Sequence, residues 1–289
     1  MAAATGHRMY RRYATADEAA RVGSHYERPV EFFYPVLGGA WHVYSGLLWD
    51  HATSVNEAQE EKLDFLAALM RLQRGQRILD VGCGWGGPLV YLCKRYGVSG
   101  VGLTVAEGQY RGAAERIADS RVEAAVVLCH WREYEPDGSF DVVYADEATG
   151  HFSDLAAYFA KVYGMLRVGG LMVIRDLHFT HPRHAEMSRA MVFINELFGE
   201  TANYRTLAEE LGLANEAGFD LVKLRQVDIS HYLRTLDAWQ QNLRDHRENL
   251  EGLVGLEDVR RFKAYLRVSK RALRSRTMTV EVTVFEKRT

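Results

Sequence analysis

The side chains best suited to chemistry follow a predicted strand that ends at Ala145, in the segment Asp-Glu-Ala-Thr-Gly-His-Phe. Ligands of α/β sheets collect at the carboxyl ends of strands, so Glu147 and His151 should face a reaction site. A partly buried carboxylate there can stabilise a cation, hold a base in place or take a proton. A helix N-cap at Asp146 or Thr149 is the structural alternative, but it does not explain Glu147 and His151 together.

A second chemical signature is the stretch Arg77-Ile-Leu-Asp-Val-Gly-Cys-Gly-Trp-Gly-Gly87. It predicts a buried strand, a tight glycine turn and a helix start, where a ligand can approach bare backbone. Asp80 ends the strand itself, whereas a dinucleotide site places its acid about 20 residues later. An acid aimed at the turn would repel a pyrophosphate and attract an ammonium group. We therefore expect S-adenosylmethionine (SAM) on Asp80, Gly82 and Gly84; a glycine turn without a ligand is the alternative.

Aromatic residues crowd between Tyr26 and Trp49. An apolar ligand needs an apolar lining, and a cationic intermediate gains from aromatic faces. We interpret Tyr26, Tyr44 and Trp49 as pocket lining, with Tyr26 and Trp49 contacting the substrate. An ordinary core position is the alternative, and we favour it for Phe32 and Phe33.

Alternating strands and helices must position these groups. Helical spacing predicts helices over Glu57–Leu72 and Leu155–Leu166. The predicted strands are Ile78–Val81, Val98–Leu103, Ala124–Leu128, Phe140–Ala145, Leu171–Ile174, Leu221–Ile229 and Thr277–Glu286. This alternation predicts an α/β fold whose strand ends carry the site.

Composition and charge narrow the functional classes. The 289 residues are 47% hydrophobic and 26% charged, which is typical of a globular protein. A net charge of −2 gives no electrostatic reason to expect nucleic acid or an anionic membrane as a partner. Cys83, Cys93 and Cys129 lack metal-ligand spacing, so we expect reduced thiols, a cytoplasmic protein and no metal site. No apolar run reaches the length of a membrane span, and no signal-peptide core is evident.

The segments Asp80–Gly86 and Gly102–Gln109 resemble those of class I SAM-dependent methyltransferases. They are most similar to the branch that holds cyclopropane fatty acid synthases and sterol and prenyl C-methyltransferases, and the likeness runs from about His25 to the C-terminus. The resemblance implies a Rossmann-like sheet, mostly parallel with an antiparallel last strand. It also implies an N-terminal helical cover and an inserted helical lid.

The resemblance assigns roles to single residues. Glu147 and His151 match a glutamate followed by a Gly-His pair, and Tyr232 lies in a His-Tyr-x-x-Thr-Leu-x-x-Trp element whose tyrosine points into the reaction pocket. We expect these three residues to be catalytic. The implied cofactor contacts are Tyr44 and Ser45 over the methionine part, Thr104 and Gln109 at the nucleoside, and Trp131 and Arg132 at adenine.

Two positions depart from the cyclopropane synthases. Those enzymes have a histidine at the position of Arg175, where it helps to hold a bicarbonate ion used as base, and a cysteine at the position of Gly46. Their replacement puts bicarbonate in doubt. We expect Arg175 to contact the substrate; an ion pair with Asp176 or Glu147 is the alternative.

The combined pattern predicts C-methylation of an alkene carbon in a prenyl or terpenoid substrate. The carbocation formed would then lose a proton or cyclise. Alternatives are an acyl-lipid methyltransferase of the cyclopropane synthase type, a small-molecule O- or N-methyltransferase, and a non-catalytic cofactor-binding partner. Mg²⁺ is expected only if the substrate is a diphosphate.

The chain divides into an N-terminal arm and cover, residues 1–60, and a methyltransferase domain, residues 61–289, with the lid at about 178–215. Residues 1–23 read as a frayed terminus, as an arm over the pocket, or as an arm exchanged between subunits of a homo-oligomer. We expect a small-molecule substrate, no nucleic acid and no stable membrane insertion.

Overall fold

The computed structural model describes residues 12–26, 28–185, 193, 196 and 203–289. A seven-stranded sheet forms its centre. The strands are β1 (Arg77–Val81), β2 (Ser99–Thr104), β3 (Ala124–Leu128), β4 (Phe140–Asp146), β5 (Leu166–Phe179), β6 (Asp220–Val227) and β7 (Met278–Glu286). They run in the order β3-β2-β1-β4-β5-β7-β6. β7 is antiparallel to both of its neighbours, and the other pairings are parallel. The predicted mostly parallel sheet with an antiparallel last strand is confirmed.

Helices cover both faces of this sheet, as the buried strands of a parallel sheet require. They are α1 (Thr15–His25), α2 (Val30–Leu37), α3 (Val55–Met70), α4 (Gly87–Tyr96), α5 (Glu107–Ser120), α6 (Leu155–Met165), α7 (Leu207–Glu216), α8 (Ile229–Asp245), α9 (Arg247–Val254) and α10 (Leu256–Arg274). One apolar core joins the sheet to α2, α3, α8 and α10, and a second joins it to α6 and α7. Short 3₁₀ turns lie at Thr149–His151 and Pro182–Ala185.

Register brings the polar ends of the strands to one edge of the sheet. Asp80 at the end of β1 lies beside Gly102 of β2 and Tyr144 of β4. Asp146, the last residue of β4, is paired with Arg175 of β5. The aspartates that the sequence assigned to two different motifs therefore meet at one site.

α3 leads into this edge and carries an unusual buried face. A capping box between Ser54 and Glu57 fixes its start. Its buried face includes the polar Gln59 and Lys62 beside Leu63 and other apolar residues. Because α3 runs from Val55 to Met70, the boundary predicted between residues 60 and 61 falls inside this helix.

The N-terminal cover and the lid are described in part. α1, α2 and an irregular segment, residues 38–54, lie over the strand ends, and residues 1–11 lie outside the described residues. Of the predicted lid, β5 continues to Phe179 and α7 begins at Leu207. Most of the intervening residues lie outside the described part, so the lid stays a prediction, as do the homo-oligomer and the arm exchange.

Candidate active site

The glycine turn after β1 forms the floor of a cleft. Gly82 and Gly84 have φ values of 95° and 54°, which a side chain would strain. A Cβ atom on Gly82 would lie 2.6 Å from the Cβ of Ala148, so the turn also packs closely against the segment after β4. The turn and the segment of Glu147 therefore form one surface.

Asp80 supplies the negative charge of this floor. Its side chain is 3% exposed and accepts one hydrogen bond from the hydroxyl of Tyr144, at 2.6 Å. Burial raises the pKa of Asp80 to about 7, and the charge of Asp146 adds to the effect, against the hydrogen bond of Tyr144. A bound ammonium group would relieve this burial cost, as expected for the methionine end of SAM.

The cleft over this turn encloses about 980 Å³ of empty space, including a part open to solvent. Eleven residues expected in the site line it: Tyr26, Tyr44, Ser45, Asp80, Gly82, Gly84, Thr104, Gln109, Trp131, Glu147 and His151. The Thr104 hydroxyl donates to the Gln109 side-chain oxygen at 2.8 Å. The indole nitrogen of Trp131 is buried with no hydrogen-bond partner among the described residues, which fits an acceptor on a bound nucleoside. The lining therefore offers Asp80 to the methionine end of SAM and Thr104, Gln109 and Trp131 to its nucleoside end.

Glu147 stands at the reaction end of the cleft in an unusual backbone conformation. Its φ is 56°, a left-handed value rare outside glycine, and its N–H donates to the carbonyl of Arg175 at 2.6 Å. One carboxylate oxygen accepts from the Gly46 N–H at 2.9 Å and from Arg175 at 2.5 Å. The other accepts from the Tyr232 hydroxyl at 2.6 Å. The carboxylate is thus held at both oxygens.

Asp146 extends this network in the opposite direction. Its Oδ1 accepts from Arg175 at 3.0 Å, and its Oδ2 accepts from the Ser45 hydroxyl at 2.8 Å and from the ammonium of Lys62. Burial acts to raise the pKa of Asp146, but Lys62 and Arg175 outweigh it and keep the pKa below its ordinary value. Sequence reasoning missed Lys62; the signal was a lysine at an apolar position of the α3 periodicity.

Five tyrosines surround this network: Tyr26, Tyr44, Tyr204, Tyr232 and Tyr265. Burial raises the pKa of each, and for all but Tyr44 the charge of Glu147 raises it further. All five phenols are therefore neutral at physiological pH. Sequence reasoning missed Tyr204, which lies within the range predicted for the lid, and Tyr265 of α10.

α1 closes the side of the cleft that His130 and Trp131 line. Glu18 is 1% exposed; one oxygen meets the His130 ring at 2.9 Å and the other accepts from the Ser153 N–H at 3.0 Å. His130 is 4% exposed and is therefore buried beside α1. Burial lowers the pKa of His151 to about 4, so this lining imidazole is neutral.

Four expected site residues lie off the cleft lining. The guanidinium of Arg132 lies over the Trp131 ring and pairs with Asp154, outside the cleft lining. Trp49 packs in the apolar core, and its indole N–H donates to Thr235. Tyr232 and Arg175 both contact the Glu147 carboxylate. Arg175 is 1% exposed and paired with the carboxylates of Asp146 and Glu147, which agrees with the ion-pair alternative.

The two departures from the cyclopropane synthases meet at the same point. A Cβ atom on Gly46 would lie 2.4 Å from Cδ2 of Tyr232 and 3.0 Å from a guanidinium nitrogen of Arg175. Any side chain at this position would displace one of them. The positions that Tyr232 and Arg175 occupy here therefore require a glycine at position 46.

A model of the mycolic acid cyclopropane synthetase family matches residues 13–283. This chain belongs to that family. It is accordingly an enzyme, a SAM-dependent methyltransferase of the cyclopropane fatty acid synthase type. The predictions of enzyme class and cofactor are confirmed, whereas the prenyl subtype is not, and the acyl-lipid alternative fits these findings better.

Relatives in the family differ in length. A probable fatty acid methyltransferase of Pseudomonas putida is 27% identical over 255 residues, covering 86% of this chain and 64% of that longer protein. Cyclopropane mycolic acid synthase 1 of Mycobacterium tuberculosis is 28% identical over 262 residues, covering 86% of this chain and 90% of that protein. This chain therefore spans less than two thirds of the first relative and most of the second.

Solved structures agree on the fold. Mycolic acid cyclopropane synthase CmaA1 complexed with SAH and CTAB is 25% identical, with a TM-score of 0.87 over 93% of this chain and 98% of that chain. The fold is therefore the Rossmann-like class I methyltransferase fold, as predicted. Within the described residues, no helix is both long and apolar enough to cross a membrane. The same residues contain no cluster of three or more His, Cys, Asp or Glu side chains suited to a metal ion.

Proposed function

We propose that this chain methylates a carbon–carbon double bond in a long, uncharged apolar chain, and that the substrate is an unsaturated acyl lipid. Support comes from the names of the relatives, which include a fatty acid methyltransferase, a cyclopropane mycolic acid synthase and a sphingolipid C9-methyltransferase of Candida albicans. All three names refer to lipids with long hydrocarbon chains.

The observation that carries the proposal is the charge of the cleft. Among its described lining residues none is a lysine or an arginine, whereas Asp80, Asp146 and Glu147 are acidic. Arg175, which contacts Glu147, is paired with the carboxylates of Asp146 and Glu147. A negative charge near Glu147 would meet these acids without a free cation among the described lining residues, so an uncharged substrate segment suits this part of the site.

The cofactor would be held by residues whose chemistry matches its parts. Asp80 would take the ammonium group, Thr104 and Gln109 the ribose, and the Trp131 indole an adenine or ribose acceptor. When bound, SAM supplies an electrophilic methyl group, and an alkene that accepts it carries a positive charge on the neighbouring carbon. The residues around Glu147 must then stabilise that charge and remove a proton.

The five surrounding tyrosines and Glu147 are suited to stabilising the cation and to removing its proton. Aromatic faces and a carboxylate attract a cation, more strongly where water is excluded. For proton removal, a C–H bond of the cation breaks, its electron pair forms a new double bond or a ring bond, and the proton passes to the Tyr232 oxygen. The hydroxyl proton of Tyr232 moves along its 2.6 Å hydrogen bond to Glu147. This relay leaves Tyr232 neutral and Glu147 protonated.

The test is an assay of purified protein with labelled SAM and three classes of alkene: unsaturated acyl lipids, neutral prenylated compounds and prenyl diphosphates. We expect methylated acyl products and no turnover of diphosphates, with or without Mg²⁺. Turnover of diphosphates alone would overturn the proposal. A cyclopropane product and a methylated product that keeps a double bond are isomers with the same mass. Mild hydrogenation before mass measurement distinguishes them, because only the product with the double bond takes up hydrogen.

A neutral prenylated compound, one of the prenyl substrates that the sequence predicts, is the second candidate. The observation in its favour is Arg175, which stands beside Gly46 where the sequence departs from the cyclopropane synthases. With arginine instead of histidine at position 175, the proton could be removed from a different carbon, and the cation would then form a different product. Preferential turnover of the neutral prenylated class in the same assay would favour this candidate.

A further inference from the structure

Lys62 is a fully buried lysine that the proposed reaction does not use. Its side chain is 0% exposed on the inner face of α3, beside Leu63 and Leu66. An ammonium group is costly to bury unless close partners compensate it, and a methionine would fill the same volume at lower cost. Its position against the reaction site therefore needs a physical reason.

The contacts of Lys62 all lie on the reaction side. Its Nζ donates to Oδ2 of Asp146 and to the hydroxyl of Ser45. Oδ1 of Asp146 accepts from Nη1 of Arg175 at 3.0 Å. Lys62 and Arg175 thus divide the two oxygens of Asp146 between them.

This division leaves Arg175 available to Glu147. The same Nη1 atom that contacts Asp146 also contacts Oε1 of Glu147, at 2.5 Å. A guanidinium prefers to bind one carboxylate with two parallel hydrogen bonds. Without the charge of Lys62, Asp146 would draw Arg175 into such a pair and away from Glu147.

A second contact on α3 fixes the segment that reaches Glu147 from the other side. Gln59, three residues before Lys62, donates to the Gly38 carbonyl at 2.9 Å and accepts from the Trp41 N–H at 3.1 Å. Lys62 then holds Ser45, the neighbour of the Gly46 whose N–H binds Glu147. Both supports of the same Glu147 oxygen therefore depend on the face of α3 that carries Lys62.

We propose that Lys62 is a positioning residue for methyl transfer: by holding Asp146 and Ser45, it keeps Arg175 and the Gly46 N–H on Glu147. The effect on turnover rests on the proposed alkene methylation. The placement of Arg175 does not, because it can be observed in the protein without substrate.

The test replaces Lys62 with an uncharged residue of similar length. Lys62→Met should still bind S-adenosylhomocysteine (SAH), because Lys62 does not line the cleft and Asp80 and the glycine turn are unchanged. Its turnover of the best alkene substrate should fall at least about tenfold, since a misplaced charge lowers the rate of the chemical step. The matched control is Lys94→Met at an exposed position of α4, which should change neither quantity.

A double variant separates positioning from packing. In Lys62→Met with Asp146→Asn, no charge remains to draw Arg175 away, so turnover should recover relative to Lys62→Met alone. Crystal structures should show Arg175 on Asp146 in the single variant and on Glu147 in the double variant. If Lys62→Met does not fold, Lys62→Gln takes its place.

The proposal fails if the folded single variant keeps Arg175 on Glu147 and turns over within about twofold of the unaltered protein. If the unaltered protein methylates no alkene, the proposed function fails instead. The position of Arg175 in the crystals still decides the role of Lys62.

Discussion

Glu147 combines a left-handed backbone with three side-chain hydrogen bonds. A residue other than glycine at φ 56° stores strain that surrounding contacts must offset, and such strain clusters at functional sites. Gly46, Arg175 and Tyr232 supply those contacts. These contacts fix the orientation of the carboxylate. A test of its role should therefore change its charge and keep its size.

Glu147→Gln preserves the shape of this side chain and removes its charge. We expect SAH affinity to stay close to that of the unaltered protein and turnover to fall about 100-fold or more, since a positioned acid–base group contributes about that much. Calorimetry and a SAM turnover assay measure the two quantities. Glu107→Gln, at an exposed position of α5, is the control. Near-normal turnover would remove Glu147 from the reaction.

Asp80 predicts a pH dependence of cofactor binding. Its pKa is raised to about 7 by burial, so the group becomes protonated as pH falls through that value and loses the charge that an ammonium would meet. We expect SAH affinity to be highest at about pH 8, where Asp80 is ionised and the ammonium group of SAH is still largely protonated, and to fall as pH drops through 7, by up to about tenfold per pH unit. Calorimetry across this range is the measurement. Asp80→Asn should bind weakly at every pH; a pH dependence in that variant would assign the titration to another group.

At the scale of elements, the segment after α2 decides how closely the cover approaches the strand ends. It brings Gly46 so near to Tyr232 and Arg175 that no Cβ atom fits. This contact explains why glycine occurs at a position with no positive φ.

Gly46→Ala should therefore shift Tyr232 or Arg175 away from Glu147. We expect turnover to fall at least about tenfold, because small displacements of catalytic groups have effects of this size or larger, while SAH still binds. Gly164→Ala in α6 is the matched control, since its added methyl group would meet nothing within 4 Å. An alanine at position 46 with full turnover would show that the site adapts to it.

α1 is fastened to the cleft by a buried carboxylate. Burial acts to raise the pKa of Glu18, but hydrogen bonds from His130 and Ser153 outweigh it and lower the pKa. Glu18→Gln should weaken this attachment, so we expect faster hydrogen exchange in residues 12–26 and lower SAH affinity. Asp17→Asn, exposed on the same helix, should change neither. Unchanged exchange in both variants would mean that α1 is held by its other contacts.

At the scale of the whole molecule, the charges near the reaction site balance. Lys62 and Arg175 face Asp146 and Glu147, so the formal charges of these four groups sum to zero and each cation already has a carboxylate partner. Arg175 stands where the resemblance implied a histidine that holds bicarbonate, and it lies beside Gly46.

Turnover should accordingly be independent of bicarbonate. The measurement compares the rate in degassed, bicarbonate-depleted buffer with the rate after bicarbonate is added back at the same pH and ionic strength. We expect equal rates, because Tyr232 and Glu147 provide the route for the proton. A rate that rises with added bicarbonate would contradict this prediction and would indicate that bicarbonate acts as the base.

The sequence by itself determined the layered α/β fold, the position of the glycine turn and the presence of SAM chemistry. These depend on local patterns: apolar runs set the strands, Asp80 and the glycines after it mark the turn, and Glu147 with His151 follows a strand end. Each signal lies within a few neighbouring residues, so no distant contact is needed to recognise it.

Only the tertiary structure decided which side chains meet. Lys62, Tyr204 and Tyr265 lie far from the motifs in sequence and have the spacing of ordinary helix or loop residues. Arg132 and Trp49 lie next to motifs yet point elsewhere. The physical reason is that burial, pairing of charges and packing space are properties of several chain segments together, and no single segment carries them.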